Sequence, residues 1–270
     1  LTLSSGNDTV LSGAQALGNR IVADVGNNLT LTSLQDIDNY QSKQTSVSGG
    51  FSLTFGTMTG SANLSVSKSK TKSEYASVGD QSGLFAGDAG YDVYVGNHTQ
   101  LNGAVIASTA GAANNALSTG TLGWSAIENA ASYKASSYSA GGGFSVTEQK
   151  DDQGNVKKDK NGNSLKDTDA SPTMPFAMSS SGSASGTTNS AISAGTITVR
   201  NGNAQQQHVS ELSRDTDNAN GSIGKIFDKD KVASDMELAK GITELAGQFS
   251  SDLSRNKVQD AKAEAENRLM

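Results

Sequence analysis

Side chains able to do acid–base or metal chemistry are few in this sequence and badly spaced for it. Histidine occurs only at His98 and His208, in unlike contexts. No strand-to-helix nucleophile elbow accompanies either, so a Ser-His-Asp arrangement has no support. Asp36 and Asp38 are paired carboxylates of the kind that sugar-cleaving folds place on their coils. No Lys or Arg cluster at coil spacing stands near them to neutralise a uronate and act as base. The acidic stretch at 151–169 resembles a calcium loop in composition only. With Gly154 or Gly162 in the sixth place, Gln149 or Lys157 falls where the first ligand should be Asp. Cysteine is absent, which removes disulfides and thiolate metal sites. Trp124, the single tryptophan, lies in TLGWSAIENAASYK and suits a core or cap position better than a sugar platform. No catalytic, cofactor-binding or metal-binding residue is assigned, and the chain reads as a non-enzyme.

What the chain does carry is repetition. GNDTVLSGAQ at 6–15 returns as GNNLTLTSLQ at 26–35 and GNHTQLNGAV at 96–105. The common skeleton is Gly-Asn, three residues, then Leu, which makes a tight turn and a short strand. A period near twenty residues predicts an all-β parallel β-helix, a right-handed solenoid whose coils are stabilised by stacking on one another. Gly6, Gly26 and Gly96 permit positive φ, and Asn7, Asn27 and Asn97 tolerate left-handed conformations and could form a ladder if the coils stack in register. His98 then has the plain role of a turn residue.

Composition fits that architecture. Hydrophobic residues make up 34 % of 270 and aromatics 5 %, too little for a thick globular core but enough for a thin apolar column. A net charge of −6 argues against nucleic-acid binding. No run approaches the ~20 apolar residues of a membrane helix. The chain opens at Leu1 without a signal segment and reads as a piece of something longer.

The expected organisation is a repeat region at 1–200, a polar connector at 201–222 and a helical segment at 223–270. Within the first, 148–190 is expected to be a mobile loop or insertion, being charged and then rich in Ser, Gly and Ala, with both prolines. A hairpin should leave the coils near Gln44, with Phe51, Leu53 and Phe55 on one parity, a turn at 58–61, then Ala62, Leu64 and Val66. The same parity continues as Lys68, Lys70 and Lys72, so an apolar face becomes a basic one. Gly-Gly-Phe-Ser recurs at 142–145, giving Phe144 and Val146 as a weaker second copy. These side chains either cover the flank of the coils, or contact a membrane or a second copy, with the lysines meeting lipid phosphates. In the last segment Asp228 is expected to cap a helix whose apolar face is Val232, Met236, Leu238, Ile242, Leu245, Phe249 and Leu253, with fraying after 254.

Longer strings carry a resemblance. GLFAG at 83–87, VGNHTQLNGAVIAS at 95–108, TGTLGWSAIENAASYK at 119–134 and LSRDTDNAN followed by IFDKDKV at 212–232 resemble the second haemagglutinin-repeat region of CdiA-type contact-dependent growth inhibition proteins. These are relatives of filamentous haemagglutinin and two-partner secretion proteins. The similarity covers nearly the whole chain, least at 148–190. It implies a segment of a secreted effector on the surface of a Gram-negative producer cell, held back in the periplasm until contact. The segment would then associate with the target-cell outer membrane and help deliver a C-terminal toxin. The implied partners are that membrane or its lipids and an outer-membrane secretion transporter. An alternative is a structural or adhesive filament segment binding a surface glycan or protein, and a polysaccharide-acting enzyme is the remaining one.

Overall fold

In one half of the molecule apolar residues alternate with polar ones, and the apolar set is driven inward. Ile21, Ala23 and Val25, then Leu29 and Leu31, then Tyr91, Val93 and Val95 are almost inaccessible, and they form one cluster with Leu84, Leu101, Ile106, Leu117 and Ile192. Period-two alternation with one buried side is what a strand needs in order to fix its register. The computed structural model describes residues 1–267 and divides into two units. The first contains Leu1–Asn39, Ser73–Ser132 and Gly182–Ile226, and the second Tyr40–Lys72, Tyr133–Ser181 and Phe227 onward.

The strands are, in order, β1 (Thr2–Ser5), β2 (Thr9–Ser12), β3 (Gln15–Val25), β4 (Leu29–Thr32), β5 (Gln35–Ile37), β6 (Tyr40–Thr54), β7 (Thr59–Val78), β8 (Gly83–Asn102), β9 (Val105–Ser108), β10 (Asn115–Ser125), β11 (Ile127–Glu148), β12 (Lys166–Thr188), β13 (Ala191–Ile192) and β14 (Thr196–Val199). One helix follows, α1 (Lys229–Asn267).

Within the first unit the strands pair in three parallel columns. Thr2 lies opposite Val22, Val22 opposite Asp92, Asp92 opposite Ala116 and Ala116 opposite Thr196, so successive members are 20, 70, 24 and 80 residues apart. Thr9, Leu29, Thr99 and Leu122 begin the second column. Gln15, Gly83, Val105 and Ala191 begin the third. The spacing of about twenty is therefore kept wherever the chain goes directly to the next strand. The two long intervals are the places where it leaves the columns.

The turn motif stacks as the sequence suggested, but for a different reason. Among the described residues positive φ outside glycine occurs only at Met58, and Gly6, Gly26 and Gly96 have none. Glycine is needed because successive turns nearly touch. A Cβ on Gly26 would lie 2.3 Å from the Gly6 carbonyl oxygen, and one on Gly96 2.1 Å from that of Gly26. The asparagines do form a ladder. The backbone N–H of Asn27 donates to the carbonyl of Asn7 and that of Asn97 to the carbonyl of Asn27. Their side chains reach diagonally: Asn27 Nδ2 donates to Asp8 Oδ1 (2.7 Å) and Asn97 Nδ2 to Asn28 Oδ1 (3.0 Å).

Where the chain leaves and re-enters the columns, buried polar groups are fully paired. Asn129 Oδ1 accepts from the Val78 N–H, and its Nδ2 donates to Thr188 Oγ1 and to the Gly221 carbonyl. Gln81 Nε2 donates to the carbonyls of Gly103 and Asn189. Such a network holds segments far apart in sequence in one place, because each unmade bond would leave a buried polar atom without water.

The second unit is a sheet in which β6 pairs with β7, β7 with β11 and β11 with β12. Four expectations are corrected here. Residues 166–188 are not a mobile loop: they form a long strand, with Pro172 and Pro175 at a sheet edge where a missing donor is tolerated. The hairpin turn is at 55–58 rather than 58–61, so Phe55 belongs to the turn. The buried stripe of α1 is Val232 with half-buried Met236, Ala239, Thr243 and Gly247, whereas Leu238, Ile242, Leu245, Phe249 and Leu253 are exposed. Asp228 does cap the helix, its Oδ1 accepting from the N–H groups of Asp230 and Lys231. The helix continues beyond residue 254, where fraying was expected, to Asn267. Residues 268–270 of that stretch lie outside the described ones.

Candidate functional site

The hairpin of β6 and β7 presents two chemically opposite faces. Ser48 Oγ lies 2.7 Å from Ser65 Oγ and Ser52 Oγ 2.9 Å from Ser61 Oγ, so these serines share one face and fix an antiparallel register. In that register Phe51 is opposite Ala62 and Leu53 opposite Gly60, where a Cβ on Gly60 would meet Leu53 Cα. The other face therefore collects Val47, Phe51, Leu53, Leu64 and Val66. On β7 the same face goes on through Lys68, Lys70 and Lys72.

β11 extends this face. A Cβ on Gly141 would lie 3.0 Å from Ser65 Cβ, and one on Gly143 3.4 Å from Asn63 Cβ, which puts both glycines on the serine face. Phe144 and Val146 therefore fall on the face of Leu64, with Tyr138 beside Lys68. Phe51 is 89 % exposed, and Phe55 at the tip 81 %. Leu53, Leu64, Val66 and Phe144 are exposed as well, and Val146 is half-buried. All three lysines are exposed. The structure thus gathers the residues singled out in sequence on one face, except that Phe55 sits in the connecting turn. It adds Val47, Lys43, Tyr138 and Lys134, all on the matching parity. Lys43 and Val47 were legible as the same alternation eight and four residues before Phe51. Lys134 and Tyr138 required knowing that β11 pairs with β7.

The opposite, serine-rich face is exposed at Ser48, Ser52, Ser61 and Ser65 and becomes covered only further along β7. Ser67, Ser69 and Thr71 are half-buried, and Ala135 and Phe176 are buried. Phe227 stacks on Tyr40 at 5.5 Å and lies 5.7 Å from Tyr133. Helix α1 reaches β12 at Gly247, where a Cβ would be 3.1 Å from Met174 Cγ. Gly60 and the turn are anchored from the second excursion, where Lys166 Nζ donates to the Met58 carbonyl.

The residues considered for chemistry have ordinary employment. His98 Nδ1 lies 2.8 Å from Thr121 Oγ1 and its Nε2 3.2 Å from Gln100 Oε1. Asp38 pairs with Lys225, whose pKa is raised by that hydrogen bond and by the carboxylate charge. Asp151 and Asp159 each close a turn, with Oδ1 accepting the N–H groups two and four residues on and Oδ2 the Asn155 or Asn163 amide. Those bonds hold both carboxyls below the usual range. No group of three or more potential metal ligands occurs among the described residues, and no described helix is long and apolar enough to cross a membrane. Trp124 packs against the apolar cluster and its N–H and C=O are both bonded by the Gln207 side chain.

Three parallel columns joined by Gly-Asn turns are the setting of a repeat protein, and residues 1–47 match the hemagglutinin repeat family. Over the full length, the chain is 51 % identical to a tRNA nuclease CdiA of Yersinia mollaretii, covering 100 % of this chain and 8 % of that protein. It is 49 % identical to a Toxin CdiA of Escherichia coli over 93 % of this chain and 8 % of that one. A deoxyribonuclease CdiA of Dickeya dadantii is 46 % identical over 92 % of this chain and 7 % of its own length. No solved structure matches. The chain belongs to the CdiA-type proteins as a haemagglutinin-repeat segment, and it spans less than a tenth of the length of these relatives.

Proposed function

We propose that the chain is a non-enzymatic segment of a secreted contact-dependent growth inhibition effector, and that its exposed sheet face associates with the target-cell outer membrane during delivery of a C-terminal toxin. In this reading the three columns are the sides of a right-handed parallel β-helix, and the sheet of the second unit is its working excursion. Secretion by an outer-membrane transporter and display on the producer-cell surface belong to the same proposal. Support for a role other than the toxin comes from the relatives themselves. One is named a tRNA nuclease and another a deoxyribonuclease, yet both retain this segment at 46 % identity or more. A shared segment beside differing nuclease names suits a common delivery part.

The observation that carries the membrane reading is the face of Phe51, Leu53, Leu64 and Phe144, held open to solvent on a paired sheet. Strands that alternate large apolar side chains outward with Ser, Gly and Thr on the other side are the pattern that suits a lipid boundary. The purified chain should float with outer-membrane vesicles in a density gradient. The triple variant Phe51→Ser, Leu53→Ser, Phe55→Ser should keep its unfolding midpoint and stay at the bottom. Equal flotation of the variant would overturn the reading.

A second reading, the adhesive one, rests on a cleft of about 550 Å³ in the first unit, lined by Trp124, Asn189, Glu211, Asp215 and Asn218. An aromatic edge among carboxylates and amides suits a sugar. Retention on a glycan array that is abolished by Trp124→Ala, with no vesicle flotation, would favour it.

A further inference from the structure

We propose that two copies of this chain pair antiparallel through the outer edge of β6 when the apolar face meets lipid, about a two-fold axis at Val47. The proposal rests on the membrane reading and names the partner that such a surface requires. β6 pairs with β7 on one side, and among the described residues no strand pairs with its other side. From Lys43 to Thr54 every residue of β6 is exposed. A row of backbone N–H and C=O groups is therefore open along that edge, bonded by water while the chain is in solution. Lipid offers no such bonds, so a sheet edge carried into it has to find another strand.

The two outer edges of this sheet are not alike. On β12, at the opposite edge, Pro172 and Pro175 stand three residues apart. Alternate residues of a strand turn their N–H groups to opposite sides, so one of the two prolines removes a donor from the outer side. Asp167 and Asp169 add charge there. β6 has no proline and one charged residue, Lys43. The β12 edge is blunted in the ways that prevent strand addition, whereas the β6 edge is left able to accept it.

The sequence of the edge points to a second β6 as the added strand. Residues directly opposite share a face, so two identical antiparallel strands keep their apolar faces together only when odd positions meet odd ones. About Val47, Lys43 meets Phe51, Thr45 meets Gly49 and Val47 meets its own copy on the apolar face, while Ser46 meets Ser48 on the other. No charge then opposes a like charge, and each Lys43 ammonium comes within reach of a Phe51 ring that is 89 % exposed. Ser48 Oγ already lies 2.7 Å from Ser65 Oγ. A hydroxyl both donates and accepts, so the serine row can continue into the second copy. Such a contact is isologous and closes at two chains.

The sequence has no cysteine, so Val47→Cys gives the full chain a single thiol. The variant is mixed with outer-membrane vesicles, treated with a short bis-maleimide and floated, and the floated fraction is run on a denaturing gel. Facing Cβ atoms in such a pair are about 4.5–5.5 Å apart, so a species of twice 27.6 kDa should be abundant. Thr45→Cys would hold its two thiols about 13 Å apart along the strands and should give at least about tenfold less of that species. Without vesicles, at the same protein concentration, Val47→Cys should also give at least about tenfold less, because water then satisfies the edge. Both substitutions change exposed side chains, and a circular dichroism spectrum like that of the parent checks the fold. Equal yields at the two positions would mean random crowding and overturn the proposal. So would a floated Val47→Cys chain that stays monomeric, or one cross-linked as well in solution as on vesicles. In each of those cases the membrane reading stands, whereas a parent chain that does not float removes that reading and this proposal with it.

Discussion

The two units use the same alternation and turn it in opposite directions. In β4 and in the stretches Ile21–Val25 of β3 and Tyr91–Val95 of β8 every second side chain is aliphatic or aromatic and is buried in one cluster. In β6 and β7 every second side chain is again apolar at one end, yet Phe51, Leu53 and Leu64 face solvent. On the other side Ser48, Ser52, Ser61 and Ser65 are exposed too, and only further along β7 do Ser67, Ser69 and Thr71 become half-buried. A strand pattern specifies that two faces differ. Which face is buried depends on what the rest of the chain brings against it. In the first unit the next strand in each column brings another apolar row. In the second, Phe227 meets Tyr40 and Tyr133 and α1 meets Met174, away from the apolar end of the hairpin, which is left with both faces open.

The sharpest way to break this comparison is to fill the spaces that glycine keeps in each unit. Gly96→Ala would put a Cβ 2.1 Å from the backbone oxygen of Gly26. Backbone cannot move aside as a side chain can, so the cost should be about 3 kcal/mol or more. Trp124 packs on the core of the first unit, so a urea titration followed by its fluorescence reports that unit directly. Gly142→Ala in the second unit meets nothing closer than 3.7 Å and should change stability by no more than about 0.5 kcal/mol. Equal effects would mean that the columns are less closely stacked than the distances require.

Next in size is the buried polar knot. Asn129→Ala removes the acceptor of the Val78 N–H and the donor to Thr188 and Gly221. A buried amide hydrogen left unpaired makes this a loss of about 2–3 kcal/mol. Hydrogen exchange should show the loss as faster exchange at Val78 and its neighbours in β5 and β7. Protection unchanged at Val78 would assign the knot no anchoring role.

Tyr91 tests the dryness of the columns. Its ring is fully buried, its hydroxyl donates to the Ser193 carbonyl at 3.2 Å, and burial pushes its pKa up to about 12. Because the folded state holds this proton more tightly than the unfolded one, the stability it contributes is intact below about pH 10. It is lost as pH rises from there through about 12. Tyr91→Phe should cost about 1 kcal/mol at neutral pH through the lost hydrogen bond and flatten the alkaline decline. A decline of the same steepness in the variant would place its origin in other groups.

Much of the first unit could be read beforehand, because its repeat, its inward residues and its turn ladder are all short-range features. The role of the turn glycines could not, since close approach between Gly6, Gly26 and Gly96 is a property of stacked neighbours and not of local φ. Residues 166–188 do not read as a strand for a related reason. Ser, Gly, Ala and two prolines have little strand preference of their own, and what makes them a strand is the partner β11. On α1 the sequence shows an apolar stripe through Leu238, Ile242, Leu245 and Phe249, but periodicity does not say which side meets the sheet. Small residues at Ala239 and Gly247 permit the closer contact, and the sheet takes that side. The candidate face was legible as far as one hairpin extends; Lys134 and Tyr138 join it only through pairing between strands about seventy residues apart in the chain.

The smallest effect is also the most discriminating between the units. Phe51→Ser alters a side chain that is 89 % exposed, so almost no apolar area returns to water on unfolding that was not already there. Its effect on stability should fall within about 0.5 kcal/mol of zero, and removal of an exposed aromatic should raise solubility. Leu101→Ala, chosen for its complete burial in the first unit, should cost about 2–5 kcal/mol by the cavity it leaves. If Phe51→Ser instead destabilised the chain by an amount like that of Leu101→Ala, the apolar face would have to be covered by a second copy in solution. Sedimentation of the parent chain over a range of concentrations would then show the dimer. A monomer with an indifferent Phe51 keeps this face as surface held ready for something outside the chain, which is the condition that any contact function of the excursion requires.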